Sequence, residues 1–494
     1  MNMEEGLTES LKNDKINQQH SMSQDESEPN VESLSTNSDI NMIPSDLEKD
    51  KPFTDENEFQ YDVGYAWVIV FGVFLLNFST WGMNSGFAIY FSYYLNNDTF
   101  EGASKLDYSA IGGIAFGGGL LFSPFINYLQ GRIGTRPLIM LGNCLQFMGL
   151  MMASFSVSRW QLYMTQGVIN SFGLACISLP GITLLPQYFK KRRTLLGGLA
   201  TAGSGVGGIV FNLGMQKVIQ TRDVFWALRC QSIIAFGLVW IAVAILRSRS
   251  KNAKIEFTII DMQCLRCTGF WFFVLYVITC MFAYVVVLYT LVNFTTSLGY
   301  SEYEGSIVSA MVQLGSCIGR PLVGLTADKI GSITMALIAY TLCAIFALAM
   351  WIPARNYATI IVFALIMGSL MGSIYGTVAP SIARLVGMNK LNVTFCMLWM
   401  FLGGAGIASP VIGVSLKTGG GGFVDATQYV YCSVFAGVSF AVCALSLLLL
   451  RGYVLGRDTL VDAESDSDYG GHLSVRVPLG LALRSCFKWT PRRA

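Results

Sequence analysis

Charge is scarce in this chain. Asp, Glu, Lys and Arg make up 13% of its 494 residues, against roughly 25% in soluble domains. A shortfall of that size leaves most side chains without water to face. The net charge is +2, too small to hold a polyanion, so nucleic acid is not an expected partner. Histidine is rarer still: the two present, His20 and His472, both lie in polar terminal stretches. There is no GxSxG motif and no metal-ligand cluster, so neither an enzyme nor a cofactor is expected. Cys264 and Cys267 form a lone CxxC in a polar connection, without the second pair that zinc needs. The other cysteines, such as Cys144, Cys176, Cys280 and Cys343, sit singly in apolar stretches and read as small buried hydrophobes. Residues 1–61 contain no apolar signal segment. They are rich in Ser, Asn, Asp and Glu and read as a disordered acidic tail.

What the chain has is apolar length. Hydrophobic residues make up 53% of it. From Gly64 onward, apolar runs of about 20 residues recur, the length that crosses a ~30 Å hydrocarbon core. The pattern predicts an all-α polytopic membrane protein with about twelve spans, and β-barrel strands would be shorter and alternating. The expected spans are 64–91, 109–130, 136–157, 161–187, 194–217, 225–246, 269–293, 305–327, 332–351, 358–383, 393–415 and 429–451. Basic residues set the orientation. Alternate connections hold Arg132 and Arg136, then Lys190, Lys191, Arg192 and Arg193, and later Lys329, Arg384 and Lys390. The other connections hold only Lys105, Arg159, Lys217, Arg222, Arg355 and Lys417. The first set is expected to face the cytosol, with both termini there too. Asn97 opens an Asn-Asp-Thr sequon in the first outer connection, a glycosylation candidate.

The longest inner connection divides the spans. The expected organisation is an N-terminal tail (1–61), a six-helix half (62–246), a connecting loop (247–268), a second six-helix half (269–451) and a cytosolic C-terminal tail (452–494). The halves echo each other. After span two comes Gly131-Arg132-Ile133-Gly134, and after span eight Gly324 through Asp328 and Lys329 to Gly331. Two related halves around a midplane site form the plan of an alternating-access transporter. Residues 475–494 mix Leu479, Leu481, Leu483, Phe487 and Trp489 with five basic residues. They read either as an amphipathic segment on an anionic leaflet or as a disordered basic tail.

Two stretches are specific. Asp62-Val63-Gly64-Tyr65-Ala66-Trp67 opens span one, and Tyr188 to Gly208, through Arg192, Arg193, Gly203 and Gly207, runs into span five. Both resemble the signatures of the monocarboxylate porter family of the major facilitator superfamily. Asn77 to Gly82, Ser104 to Tyr108, Gly207 to Asn212 and Gly319-Arg320-Pro321 resemble its fungal branch, the monocarboxylate-transporter homologues. The resemblance covers roughly residues 60–460 and implies the twelve-helix major facilitator fold and a transport role. It leaves the substrate open, since that branch includes members associated with riboflavin. Animal members have a lysine in the outer half of span one and an aspartate one turn before the span-eight arginine. Here Trp81 to Gly86 contain no lysine and Ser316 stands at the aspartate position. Only Arg320 carries over, so the resemblance does not imply proton-coupled transport.

Arg320 is the sharpest site candidate. A charge deep in a span costs about 2.5–3.5 kcal/mol on insertion scales, so it must face the bundle interior or a watery cavity. Gln313, Ser316, Cys317 and Arg320 share one helix face. Guanidinium suits a substrate carboxylate, and equally suits tying span eight to backbone carbonyls. Asn84 and Gln313 are the leading polar candidates on the lining spans. Tyr284, Tyr289, Tyr375 and Trp399 could stack on a flat ring. Arg229 reads as a residue snorkelling to the interface. Asp328 and Lys329, with Arg132 and Arg136, are candidate gating residues. Glycine runs in spans two, five and eleven are expected to let the halves slide in close contact. Short of Lys217 at the very end of span five, no Asp, Glu, His or Lys lies inside an assigned span, which points to a facilitator, or to a carrier whose substrate brings its own proton.

The function expected is alternating-access transport of a small organic anion or flat heterocycle. A riboflavin-type facilitator and a non-transporting sensor on a transporter scaffold are the alternatives. The expected partners are the solute and the lipid bilayer, with no obligate protein partner. The plasma membrane is favoured over the vacuolar membrane.

Overall fold

The computed structural model describes residues 64–97, 99–100, 102–188, 193–246, 258–387, 389–418, 426–460 and 477–486. All fall within one compact unit, Gln60–Ala494. Residues 1–61, Asp62, Lys190 to Arg192, most of the connecting loop and the remainder of the C-terminal tail lie outside the described residues.

Among the described residues, 11 helices are long and apolar enough to cross a membrane. They are α1 (Tyr65–Tyr94), α2 (Lys105–Ile133), α4 (Arg159–Leu185), α5 (Thr194–Thr221), α6 (Val224–Ile245), α7 (Thr268–Ser297), α8 (Glu302–Ile330), α9 (Ser332–Trp351), α10 (Tyr357–Val386), α11 (Leu391–Ser415) and α12 (Thr427–Leu460). Between α2 and α4 lies α3 (Thr135–Ala153), 19 residues long. It is less apolar because it carries Arg136, Asn143 and Gln146, and it buries the last two. Counting α3, the architecture matches the twelve-span expectation.

Local chemistry sets the helix ends. Ser104 and Asp107 form a capping box at the start of α2, as do Ser301 and Glu304 at the start of α8. Each box satisfies N–H groups that a helix start otherwise leaves orphaned. Gly134 (φ 89°) ends α2 and Gly331 (φ 101°) ends α8. Both sit in the region that only glycine enters cheaply. The sequence echo between the two halves is thus a shared backbone device: the same box opens, and the same kind of residue closes, corresponding helices.

Helices α1, α2, α7, α11 and α12 meet at one end, called here the vestibule end. The opposite, basic end carries Arg132, Arg136, Asp328 and Lys329. The halves touch along two seams, α5 against α8 and α2 against α11. A Cβ on Gly117 would collide with the Gly403 carbonyl, and one on Gly113 with that of Ile407. Main chains therefore meet directly at the α2–α11 seam. Hydrogen bonds also cross between the halves, among them Ser123 Oγ donating to the Cys396 carbonyl (2.6 Å) and Asn212 Nδ2 to Ser309 Oγ (3.3 Å). On the perimeter, large apolar side chains such as Ile233, Ile241, Leu322 and Ile345 are exposed. That surface suits lipid, not water.

Several expectations change. The glycines of α5 do not all serve the seam. Gly203 and Gly207 pack on the carbonyls of Phe74 and Phe78 of α1, inside the same half, whereas Gly198 and Gly205 pack on Arg320 and Gln313 of α8. Cys264 and Cys267 are buried, with their thiols against Thr394 and Tyr453. The helix α12 continues to Leu460, into what composition assigned to the tail. A short helix, Leu479–Ser485, docks on it. Ala482 and Cys486 lie so close that a Cβ at Gly452 would meet both, and Arg451 donates to the Cys486 carbonyl (2.5 Å). This part of the tail therefore packs on protein, with Leu483 left outside.

A closed central cavity between the halves

Arg320 sits one turn past the midpoint of α8 towards the basic end, fully inside the bundle at 4% exposure. Its Nη1 donates to the Thr201 carbonyl of α5 (2.6 Å) and to Ser204 Oγ. A span-eight cation is thereby tied to a span-five carbonyl across the seam, which is the structural role sequence reasoning left open. The tie does not use the whole guanidinium. Arg320 Nε has no hydrogen-bond partner. Gly372 of α10 makes room for it, since a Cβ there would lie 2.8 Å from Nε.

Aromatic rings surround this cation. The Arg320 guanidinium lies 4.9 Å from the ring centroid of Tyr375, within cation–π range. Tyr375 in turn packs on Trp81 (5.6 Å) and Tyr284 (6.0 Å), and Trp81 on Phe116 (5.2 Å). Trp81 reaches this position from a π-turn, Phe78–Gly82, that widens α1. Such turns are frequent at functional sites. The rings, with Asn84, Ser85, Ser204, Gln313 and Arg320, enclose a cavity of about 10 Å³, space for one water at most. In this conformation the cavity is collapsed.

Polar atoms left over in and beside the cavity mark it as incomplete. Trp81 Nε1, Tyr375 OH, Ser316 Oγ and Arg320 Nε are all buried without a partner. Each such group costs about 1–3 kcal/mol. Native structures satisfy most such groups, and here four of them lie together between the two halves.

Of the predicted residues, the structure brings Arg320, Gln313 and Asn84 to the cavity. It does not bring Ser316, which is buried and turned towards Gly372. Tyr284 and Tyr375 line it, while Trp399 is buried elsewhere, stacked on Phe395 at 3.9 Å. Sequence reasoning missed Trp81, Phe116 and Ser204. Trp81 stood in a quoted family stretch, but nothing there signalled a π-turn that would aim it inward.

The two ends of the cavity differ. At the basic end, Asp328 accepts from the backbone N–H groups of Thr194 (3.2 Å) and Leu195 (3.0 Å), at the start of α5. A carboxylate at a helix N-terminus is favourably placed. A Cβ at Gly324 would meet the Thr194 carbonyl at 2.6 Å, so no gap remains there. The expected gating partners do not join this closure. Arg132 donates to Tyr128 of its own helix, and Arg136 to the Leu246 carbonyl of the same half. Lys329 is exposed. At the vestibule end, Phe87 of α1 and Tyr289 of α7 meet at 5.7 Å. Beyond them opens a cavity of about 300 Å³.

Other candidates are structural. Arg229 donates to Ser154 Oγ (3.0 Å) and lies over Phe155 and Trp226. Asn77 donates to the Val73 carbonyl within α1. Of the signature residues, Gly64 offers its carbonyl to the Trp67 N–H (3.2 Å), starting α1. Asp62 and Arg192 lie outside the described residues, as does the side chain of Arg193.

A two-seam helical bundle closed on a central charged cavity is the architecture of a membrane transporter. The chain belongs to the major facilitator superfamily, whose family profile, Major Facilitator Superfamily, matches residues 69–410, and its relatives place it in the fungal monocarboxylate-transporter-like branch. It is 43% identical to "Probable transporter MCH2" of Saccharomyces cerevisiae, over 87% of this chain and 92% of that protein. It is 31% identical to "Uncharacterized transporter ESBP6" of the same yeast, over 81% of this chain and 61% of that longer protein. It is 30% identical to "MFS-type transporter opdF" of Penicillium oxalicum, over 78% and 90% of the two chains.

Proposed function

We propose that this protein moves a small organic anion with a flat apolar body by alternating access. The observation that carries the reading is the unpartnered Arg320 Nε, held beside a ring of aromatic side chains in a cavity that both halves build. A carboxylate would satisfy the guanidinium, and the body of the solute would replace ring–ring contacts among Trp81, Tyr284 and Tyr375. Closure at Asp328 and the open space beyond Phe87 support an outward-facing, occluded state. With the basic end in the cytosol, the vestibule faces outside and both termini lie in the cytosol. The plasma membrane is the proposed location.

Arg320 is the one Asp, Glu, Lys, Arg or His among the residues that line the cavity. This supports facilitated transport, or transport in which the solute itself carries the proton. Four aromatic rings around the cavity favour a second cargo, a neutral riboflavin-type heterocycle. Uptake of pyruvate, lactate and riboflavin into proteoliposomes tests both, with Arg320→Ala as control. Uptake of a carboxylate that Arg320→Ala abolishes supports the anion reading. Uptake of riboflavin alone, insensitive to Arg320→Ala, overturns it. Binding without uptake of any of the three would favour a sensor. Strong acceleration of a non-titratable solute by an imposed pH gradient would overturn the facilitator mechanism.

A further inference from the structure

The 300 Å³ vestibule is a second constellation, separate from the central cavity. Its size sits at the lower end of small-molecule sites, about 300–1,000 Å³. Its walls come from both halves: Phe87 and Phe91 from α1, Lys105 and Ser109 from α2, Tyr289 and Asn293 from α7, Lys417 after α11, and Gln428 and Tyr429 from α12. Two of these are lysines, and they stand on opposite halves.

Neither lysine has an acidic partner among the described residues. The nearest carboxylate in sequence, Asp107, is engaged by Ser104 (2.8 Å) and by the Tyr163 hydroxyl (3.1 Å). The Lys417 ammonium lies 5.2 Å from the Tyr429 ring centroid. Burial, and then the neighbouring charge of Lys105, push the Lys417 ammonium below its ordinary value. Two like charges in one partly enclosed cavity attract an anion, because low-dielectric walls focus their field.

We propose that Lys105 and Lys417 form an anion-capture site, which holds the carboxylate of an organic anion in the vestibule before it passes Phe87 and Tyr289. Phe87, Phe91 and Tyr289 meet the apolar body, and Asn293 and Gln428 supply hydrogen bonds. Because the two cations belong to opposite halves, a bound carboxylate also bridges the halves and draws the vestibule together over the solute. The site takes small aromatic or short-chain monocarboxylates and discriminates against their neutral amides. The proposal rests on the anion reading for its place in transport, but the binding itself does not depend on Arg320.

The test uses the full chain purified in detergent, with benzoate as probe and benzamide as its neutral counterpart. Equilibrium binding is measured for wild type, Arg320→Gln, Lys105→Gln/Lys417→Gln and the triple variant. Benzoate binding is expected to survive in Arg320→Gln and to weaken at least tenfold on adding the lysine changes. It is expected to fall with added salt, and benzamide should not compete. Lys105→Arg/Lys417→Arg should restore it. A separate measurement guards against misfolding: in Ser297→Cys, on the vestibule wall with both lysines intact, benzoate should slow maleimide labelling, and benzamide should not. Benzoate binding by the triple variant equal to that of Arg320→Gln, or no protection of residue 297, overturns the proposal. Loss of binding in the lysine variants, together with Arg320→Ala transport equal to wild type, upholds the vestibule site while removing the central-site reading.

Discussion

Asp328 of α8 caps Thr194 of α5. One carboxylate accepts the first N–H groups of a helix in the other half, at 3.2 and 3.0 Å, and this contact joins the halves at the basic end. Asp328→Asn removes the charge and one acceptor oxygen, a loss of about 1 kcal/mol. The closed state should lose roughly fivefold in population. Gly197 lines a small cavity at this end, and a Cβ there meets nothing nearer than 3.7 Å. Maleimide labelling of Gly197→Cys should therefore speed up in the Asp328→Asn background. An unchanged rate would mean that other contacts hold the gate.

The glycines of α5 separate two effects. A Cβ at Gly203 would collide with the Phe74 carbonyl in its own half, and one at Gly205 would sit 2.7 Å from the Gln313 carbonyl across the seam. Overpacking typically costs about 1–3 kcal/mol. Gly203→Leu should lower expression and melting temperature. Gly205→Ala should leave yield near normal but reduce uptake per folded molecule. Equal losses of yield in both would remove the distinction.

Arg320→Lys keeps the charge and loses the planar fork. Lysine cannot satisfy Thr201 and Ser204 while also facing Tyr375. Uptake should fall by about tenfold or more, with protein yield retained. Wild-type uptake in this variant would show that only the charge matters.

Arg229 offers the contrasting case. Its partners are Ser154, Phe155 and Trp226, so Arg229→Ala should cost about 1–2 kcal/mol of stability. The half-saturation concentration for solute should not move. A changed half-saturation would place Arg229 on the solute's path.

An inner ion pair gives a pH signature. Asp261 caps the short helix Met262–Arg266 through the Gln263 N–H (2.8 Å) and pairs with Lys390 (2.8 Å). Burial opposes its ionisation, yet the Lys390 and Gln263 hydrogen bonds outweigh burial and hold the carboxyl below its usual range. A carboxyl lowered on folding stabilises above its unfolded value, about 3.9, and loses that stability as pH falls through the lowered one. Hydrogen exchange in Met262–Arg266 should rise below about pH 4. Asp261→Asn should exchange quickly at every pH.

The spans were legible because hydrocarbon demands length, and length survives in composition. Their ends were less so. The helices α8 and α12 run past the apolar windows, since caps such as Ser301 and packing partners such as Ala482, rather than hydropathy, decide where they stop. Arg320 announced itself by cost, a charge where charges are expensive. Its contact with the Thr201 carbonyl did not, because carbonyls are invisible in a sequence. Ser316 shared the helix face of Arg320, yet its hydroxyl is turned to Gly372 of α10. The lysine pair of the vestibule is 312 positions apart in the chain (417 minus 105), and only the fold brings the two into one cavity.

The α2–α11 seam has a further consequence. Where Gly117 faces the Gly403 carbonyl, backbone meets backbone, and of the neighbouring side chains Phe116, packed near Gly406, also lines the cavity. Changes that refit the cavity around Trp81 or Tyr375 for another solute, with Phe116 kept, can therefore accumulate without touching the glycine contacts of the seam. A lineage can trade one cargo for another on an unaltered chassis.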